Sequence, residues 1–299
     1  MAAKKRVGLM DIQRRFDTED VCRDYLFKLR WPDGFVCPVC GCREYYHITT
    51  RHKYACKNCR YQASVTAGTV MDRSHLSLRT WIWAIYLMSR DKRGCSAMQL
   101  SRVLNLPYNT SWFLLHRIRH AMAERDSNYM LAGIVELDDT YFGKPRKGGK
   151  RGRGTTKTKV VVAVSKDEEG KPKYAKMQVV PDLKGKTIGK FAKVCIEEGS
   201  SVETDAYRSY RKPLAEKYLH KYQIFDAESD MLKWLHTIIG NAKAFISGTF
   251  HGLGKKHMQS YLDEYCYRFN RRYLGGDIFV RLLLAVTRSS TLRFADLTL

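Results

Sequence analysis

Two Cys-x2-Cys pairs, Cys37/Cys40 and Cys56/Cys59, stand 15 residues apart and limit the local fold more tightly than any other stretch of the chain. Each pair turns two sulfurs to the inside of one knuckle, and two knuckles at this spacing make a four-thiolate site for one Zn2+. Four thiolates leave no open coordination position, so zinc here is structural. Gly41 after one pair, and Arg60 and Tyr61 after the other, sit where such knuckles bring in a glycine and an aromatic strand. Residues 31–70 therefore read as a zinc ribbon, with Cys40 preferred to the adjacent thiol Cys42 on spacing alone. The nine cysteines, an odd number, and the charged N-terminus fit a reducing cytoplasm, with a metal site in place of a disulfide framework.

Charge narrows the partners. The chain carries 53 Lys+Arg against 30 Asp+Glu, a net +23 at neutral pH. Such an excess points to nucleic acid, where phosphate neutralisation supplies most of the non-specific affinity. No stretch reaches the ~18 apolar residues of a spanning helix. The longest apolar runs, Trp81–Met88 and Ile278–Val286, have the length of core helices, and no membrane partner is expected.

The chemistry concentrates in VELDDTYFG, Val135 to Gly143. Val135 and Leu137 alternate with Glu136 and Asp138, the period of a half-buried strand that brings a carboxylate to its C-terminal end. Val202 and Thr204 repeat the pattern before Asp205. Two carboxylates ending neighbouring strands suit divalent cations, since like charges tolerate each other only around a hard ion. Either aspartate alone would read as the start of a turn.

Around these landmarks the chain divides into five parts. Residues 1–30 are a basic tail and a docking helix, with Asp17 as its expected N-cap and Val21, Tyr25, Leu26 and Leu29 on one face. Residues 71–128 are helical. Within them Ser96–Leu104, a turn over Asn105–Asn109, and Thr110–Met122 with His116, Arg117, Arg119 and His120 resemble a helix-turn-helix for the major groove. Residues 129–275 alternate strands and helices: Lys159–Ser165 and Lys173–Asp182 as strands, Thr187–Glu198 as a helix with Ile188, Phe191, Ala192 and Cys195 inward, the Asp205 strand, a helix over Tyr207–Lys217, a strand over Tyr222–Phe225, and helices from Ser229 onward. Residues 276–299 are a C-terminal tail. The segment Gly143–Lys159 holds Lys144, Arg146, Lys147, Lys150, Arg151, Arg153, Lys157 and Lys159 with no acid, a composition suited to gripping phosphate. Three strands, a helix, a strand, a helix, a strand and a long helix is the order of a ribonuclease-H-like α/β fold with a mixed sheet and flanking helices.

RWPDGFVCPVC, VELDDTYFG, the Asp205 strand, WLHTIIGNAKAFISGTFHG and YLDEYCYRFNRR together resemble the Merlin-related DDE-type insertion-sequence transposases, over about Asp17 to Arg272. The resemblance implies a DNA transposase that binds terminal inverted repeats and target DNA as a homo-oligomer, and cuts and joins strands with two divalent ions, Mg2+ or Mn2+, held by an acidic triad. It implies Asp138 as first ligand, with Asp139 adjacent, and Asp205 as second. Relatives usually carry Glu as the third, with six residues between it and a basic residue. Here Lys243 takes the basic position and His236 the place of the Glu, with Asn241 as runner-up. Glu264, with Arg271 seven positions on, reads as lying outside the apolar face of a packing helix. A site with imidazole would tilt toward Mn2+. The missing Glu leaves two other readings: a non-catalytic zinc-ribbon DNA-binding regulator, and a metal-dependent nuclease on the same fold.

Overall fold

The computed structural model of the chain describes residues 8–143, 148, 154–224, 231–274 and 277–298. The chain forms two compact units, Met1–Arg125 with Tyr273–Leu299, and Asp126–Arg272. Most of the basic segment after Gly143, and Phe225 of the last expected strand, lie outside the described residues.

In the first unit, α1 (Leu9–Arg15) and α2 (Glu19–Arg30) precede a small antiparallel sheet, β1 (Tyr45–Ile48), β2 (Lys53–Cys56) and β3 (Gln62–Ala63). The cap of α2 is Thr18, not Asp17: its hydroxyl accepts the N–H of Val21 at 3.3 Å. The buried face is Cys22 and Leu26, while Val21 is exposed. Three helices follow, α3 (Leu78–Arg90), α4 (Ala97–Leu104) and α5 (Tyr108–Ser127). Glu19 caps α3 from α2, its two carboxylate oxygens each accepting a first-turn N–H, from Leu78 and Arg79, at 2.9 Å. Asn105 ends α4 in the left-handed conformation (φ 50°), which Asn tolerates better than most residues.

The helical hairpin is present, but three of its four expected DNA-facing residues are not at the surface, and His120 is half-buried. His116, Arg117 and Arg119 are buried, and the Arg117 guanidinium donates to the carbonyls of Asp72 (3.0 Å) and Leu292 (3.3 Å). The expected C-terminal tail is also absent as such. Residues 277–288 form a helix, α10 (Asp277–Arg288), which packs on α2 and α3 with Leu282, Leu283 and Val286 fully buried. A short α11 (Phe294–Thr298) closes the chain.

The second unit is built on β4 (Ile134–Phe142), β5 (Thr158–Lys166), β6 (Pro172–Val180), α6 (Gly185–Cys195), β7 (Ser201–Asp205), α7 (Arg208–Ala215), β8 (Leu219–Gln223), α8 (Lys233–Thr249) and α9 (Met258–Phe269). The sheet order is β6-β5-β4-β7-β8, with β4, β5 and β6 antiparallel and β7 and β8 added parallel. This is the mixed, ribonuclease-H-like order expected. β5 reads as unbroken Val and Ala because both its faces are covered. Val160, Val162 and Val164 pack under Leu235, Ile238 and Ala242 of α8 and Leu262 of α9; Val161 and Ala163 join Val135 and Leu137 against Ile188 and Phe191 of α6 and Tyr210 and Leu214 of α7.

The outer edge of β6 is closed by side chains. Gln259 accepts the N–H of Val179 (2.7 Å) and donates to the carbonyl of Met177 (3.0 Å). Asn270 does the same at Ala175, at 2.7 and 3.0 Å. Two amides, one on α9 and one on the residue that caps it, thus occupy backbone groups that an exposed edge would offer to another strand.

Candidate functional site

The zinc knuckles form as a matched pair. The N–H of Gly41 donates to the carbonyl of Cys37 (2.9 Å) and that of Arg60 to Cys56 (3.0 Å), each turn closing through a left-handed residue, Gly41 at φ 72° and Arg60 at φ 61°. The four Sγ atoms of Cys37, Cys40, Cys56 and Cys59 lie within 4.8 Å of one another, with Cys37–Cys59 and Cys40–Cys56 at 3.5 Å. A tetrahedral Zn2+ with Zn–S bonds of ~2.3 Å needs sulfur edges of ~3.8 Å, so the cluster fits the ion closely. The N–H of Cys59, against the cost of burial and with that of Asn58, brings the Cys56 thiol down to about 6. Cys42 turns away, its sulfur accepting from the N–H of Glu44.

The second site forms on the α8 face of the large sheet. β4 and β7 pair in parallel with Ile134 beside Ser201, Val135 beside Val202 and Glu136 beside Glu203, a constant offset of 67 residues (201 − 134). The pairing ends at Glu136 and Glu203; carried two residues further, the same offset would bring Asp138 level with Asp205 (205 − 138 = 67). Alternation places both on the face opposite Val135, Leu137 and Val202, which join the α6–α7 core. Asp138 does not end its strand, however. β4 runs four residues further because β5 continues to pair with it as far as Phe142. The strand that ends is β7, at Asp205, and its end opens the sheet beside Asp138.

His236 arrives from α8. Its Nε2 lies 3.4 Å from Asp138 Oδ2, and that hydrogen bond, against burial and with the charges of Asp138, Glu136 and Asp205, pushes the imidazole pKa above its ordinary value. Lys243, seven residues on, returns to nearly the same helical azimuth. Its ammonium packs 5.9 Å from the Phe142 ring and is lowered by burial and by Lys157, with Asp138 opposing. Asn241, five residues after His236, stands about 140° round the helix. Glu264 is not outside its helix face as expected. It is completely buried, and Arg268 holds its carboxylate at 2.9 Å on α9, which packs on β6, two strands from β4.

An imidazole beside carboxylates is a donor set that would suit Mn2+ better than Mg2+, which prefers oxygen. Asp138 is only partly shielded, with 17% of its side chain exposed, and His236 has 40% exposed, so solvent reaches both.

Sequence reasoning passed over two residues here. The Tyr210 hydroxyl, on a fully buried ring, donates to Asp139 Oδ1 at 3.1 Å and approaches Asp138 Oδ1 at 3.5 Å. Burial and the charges of Asp139, Asp138 and Asp205 push its pKa far up, so it remains a donor. Glu136, two residues before Asp138, is buried and engaged by α8. Its signal was the shared parity with Asp138.

Residues 130–270 match the ISXO2-like transposase domain, and residues 17–62 match the transposase zinc-ribbon domain. Over 216 residues the chain is 28% identical to an uncharacterized protein in transposable element ISH50 of Halobacterium salinarum, covering 66% of this chain and 70% of that one. Among solved structures it is similar to a pre-cleavage Mos1 transpososome, at 11% identity over 69% of this chain and 78% of that one, with a TM-score of 0.26. It is also similar to the Mos1 mariner paired-end complex with Mn, again at 11% identity over 69% and 78%, with a TM-score of 0.16. At these scores the superpositions carry no argument about geometry. The two family matches, in this order along one chain, give it a transposase zinc-ribbon domain followed by an ISXO2-like transposase domain.

Proposed function

We propose that the protein cleaves DNA at the ends of its element and joins the freed 3′ ends to a target by metal-assisted phosphoryl transfer at Asp138, Asp205 and His236. The observation that supports this reading is the strand register, which pairs Glu136 with Glu203 and, carried two residues further, would bring Asp138 level with Asp205 where β7 ends, together with an imidazole 3.4 Å from Asp138.

Divalent ions, Mg2+ or Mn2+, would be held by Asp138, Asp205 and His236, and when bound would supply charge neutralisation and activation of the attacking oxygen. The chain's own residues supply position. Tyr210 fixes the carboxylates of Asp138 and Asp139, the N–H of Tyr207 holds Asp205 Oδ1 at 3.0 Å, and Lys243 gives a phosphate a cation beside the acids. In-line transfer at phosphorus asks little more of side chains than this.

DNA binding falls to the basic surface. We assign recognition of terminal inverted repeats to the zinc ribbon and to residues 71–128. Arg102, Tyr108 and Asn109 are exposed around the turn between α4 and the start of α5, the part of a helix-turn-helix that meets base edges. Joining two ends to one target calls for more than one copy of the chain on DNA.

The test is strand transfer of a pre-cleaved element end into plasmid DNA. Wild type is expected to transfer, and Asp205→Ala to lose transfer while still binding DNA. Normal transfer by Asp205→Ala would overturn the assignment. Wild type that cuts without joining would point to a nuclease, and wild type that binds without either would point to a regulator.

A further inference from the structure

Below the plane of Asp138 and Asp205 lies a second pair of carboxylates, Glu136 and Glu203, one strand repeat earlier and directly paired in the register of β4 and β7. An internal ammonium already joins this lower pair. Lys166 of β5 places its Nζ 2.6 Å from Glu203 and 3.3 Å from Glu136. The remaining oxygen of Glu136, Oε2, accepts the N–H of Leu235 at 2.9 Å.

That bond reaches across 99 residues to the first turn of α8. The helix starts at Lys233, so Leu235 is its third residue, whose N–H an N-capping side chain ordinarily takes. Leu232, in the cap position, has no side-chain acceptor and is held left-handed at φ 53°, and the first turn contains no acid. Glu136 therefore supplies from the sheet the cap that the helix's own sequence omits. The next residue along is His236, whose N–H closes the same turn onto the carbonyl of Leu232 at 2.9 Å.

We infer that Glu136, neutralised by Lys166, is a positioning residue for the third ligand: it anchors the first turn of α8 to β4 so that the His236 imidazole faces Asp138. One strand then carries a metal ligand at Asp138 and, two residues before it on the same face, the strut that sets another. The inference rests on the proposed metal site, and it makes Glu136 act through α8 without touching the ion. Lys166 keeps the lower carboxylates from competing for divalent cations by filling the gap between them.

The test uses zinc-loaded, full-length protein with Mn2+ as the probe. Pulsed EPR of bound Mn2+ should show 14N coupling in wild type, assigned by its loss in His236→Ala. Glu136→Gln retains a carbonyl acceptor for Leu235 and should keep the coupling. Glu136→Ala should lose it and bind Mn2+ roughly 10- to 100-fold more weakly, as loss of an outer support does. If Glu136→Ala does not fold, Glu136→Leu combined with Lys166→Met and Glu203→Gln removes the acceptor while replacing all three charged groups by neutral ones of similar size, and should lose the coupling too. Retained coupling in either variant would overturn the inference. Hydrogen exchange over residues 232–240, read without Mn2+, separates the two claims. Wild type without 14N coupling would end the role of His236 as a ligand. Faster exchange confined to that turn in the Glu136 variant would still support the strut, and unchanged exchange would refute it.

Discussion

Asp138 and His236 stand 98 residues apart in the chain and 3.4 Å apart in space, brought together by a strand in the middle of a sheet and a helix laid across its face. In the proposed site this contact brings an imidazole to the first aspartate as the third donor.

His236→Glu would restore an all-oxygen donor set. The ratio of strand-transfer rate in Mg2+ to that in Mn2+ should rise in this variant, since Mg2+ prefers oxygen and imidazole does not favour it. His236→Ala should lower transfer in both ions by about 10²-fold or more. Steady-state transfer assays in each metal check both outcomes, and equal ratios in wild type and His236→Glu would remove the imidazole from the site.

The knuckle geometry distinguishes five neighbouring thiols. Cys40→Ser and Cys56→Ser should purify without zinc and lose the ordered ribbon, because structural zinc binding amounts to folding free energy on the order of 10 kcal/mol. Cys42→Ser should retain one zinc per chain by atomic absorption, since Cys42 lies outside the cluster.

On α9, Arg268→Ala removes the guanidinium that bonds the completely buried Glu264 carboxylate. Breaking a buried pair by removing one partner costs about 3–5 kcal/mol, so denaturant unfolding of the Asp126–Arg272 unit should shift by that order. Arg268→Met with Glu264→Leu should recover much of the loss. Mn2+ binding should be unchanged in the double variant if Glu264 is no ligand.

Stability should also depend on pH through Asp263. Burial, with the charge of Asp126 adding and the Gln259 amide opposing, raises its carboxyl from 3.8 to about 7. Raised in the folded state, this group contributes stability that is fully present below pH ~4 and is lost as pH rises through about 7. Wild type should therefore melt lower at pH 8.5 than at pH 6, and Asp263→Asn should flatten that slope. The difference between the two proteins isolates this group from the zinc thiolates, whose protonation acts in the opposite direction.

Much of this architecture is legible in the chain because the signals are local. The cysteine spacing gives the ribbon, the valine run gives β5, and the inward residues Ile188, Phe191, Ala192 and Cys195 of α6 are the buried ones. What escaped depends on groups that leave no trace nearby. Arg117 and Arg119 read as a DNA-facing row, yet the chain around Leu292 returns from its far end to accept from Arg117. Glu136 read as ordinary strand alternation because its partner is a backbone N–H 99 residues away, which any amino acid could offer. Gln259 and Asn270 were silent for the same reason, since they bond the backbone of β6 and not its side chains. Thr18 in place of Asp17 is a different failure: two adjacent residues can each cap, and the direction of chain entry selects one.

The central claim is that Asp138, Asp205 and His236 are one divalent-metal site. Anomalous diffraction from crystals soaked in Mn2+ tests it most directly. The account predicts a manganese peak between the Asp138 and Asp205 carboxylates, within coordination distance of His236 Nε2, and its loss in Asp205→Ala. A peak bound elsewhere in the unit, or one that persists undiminished in Asp205→Ala, would contradict it.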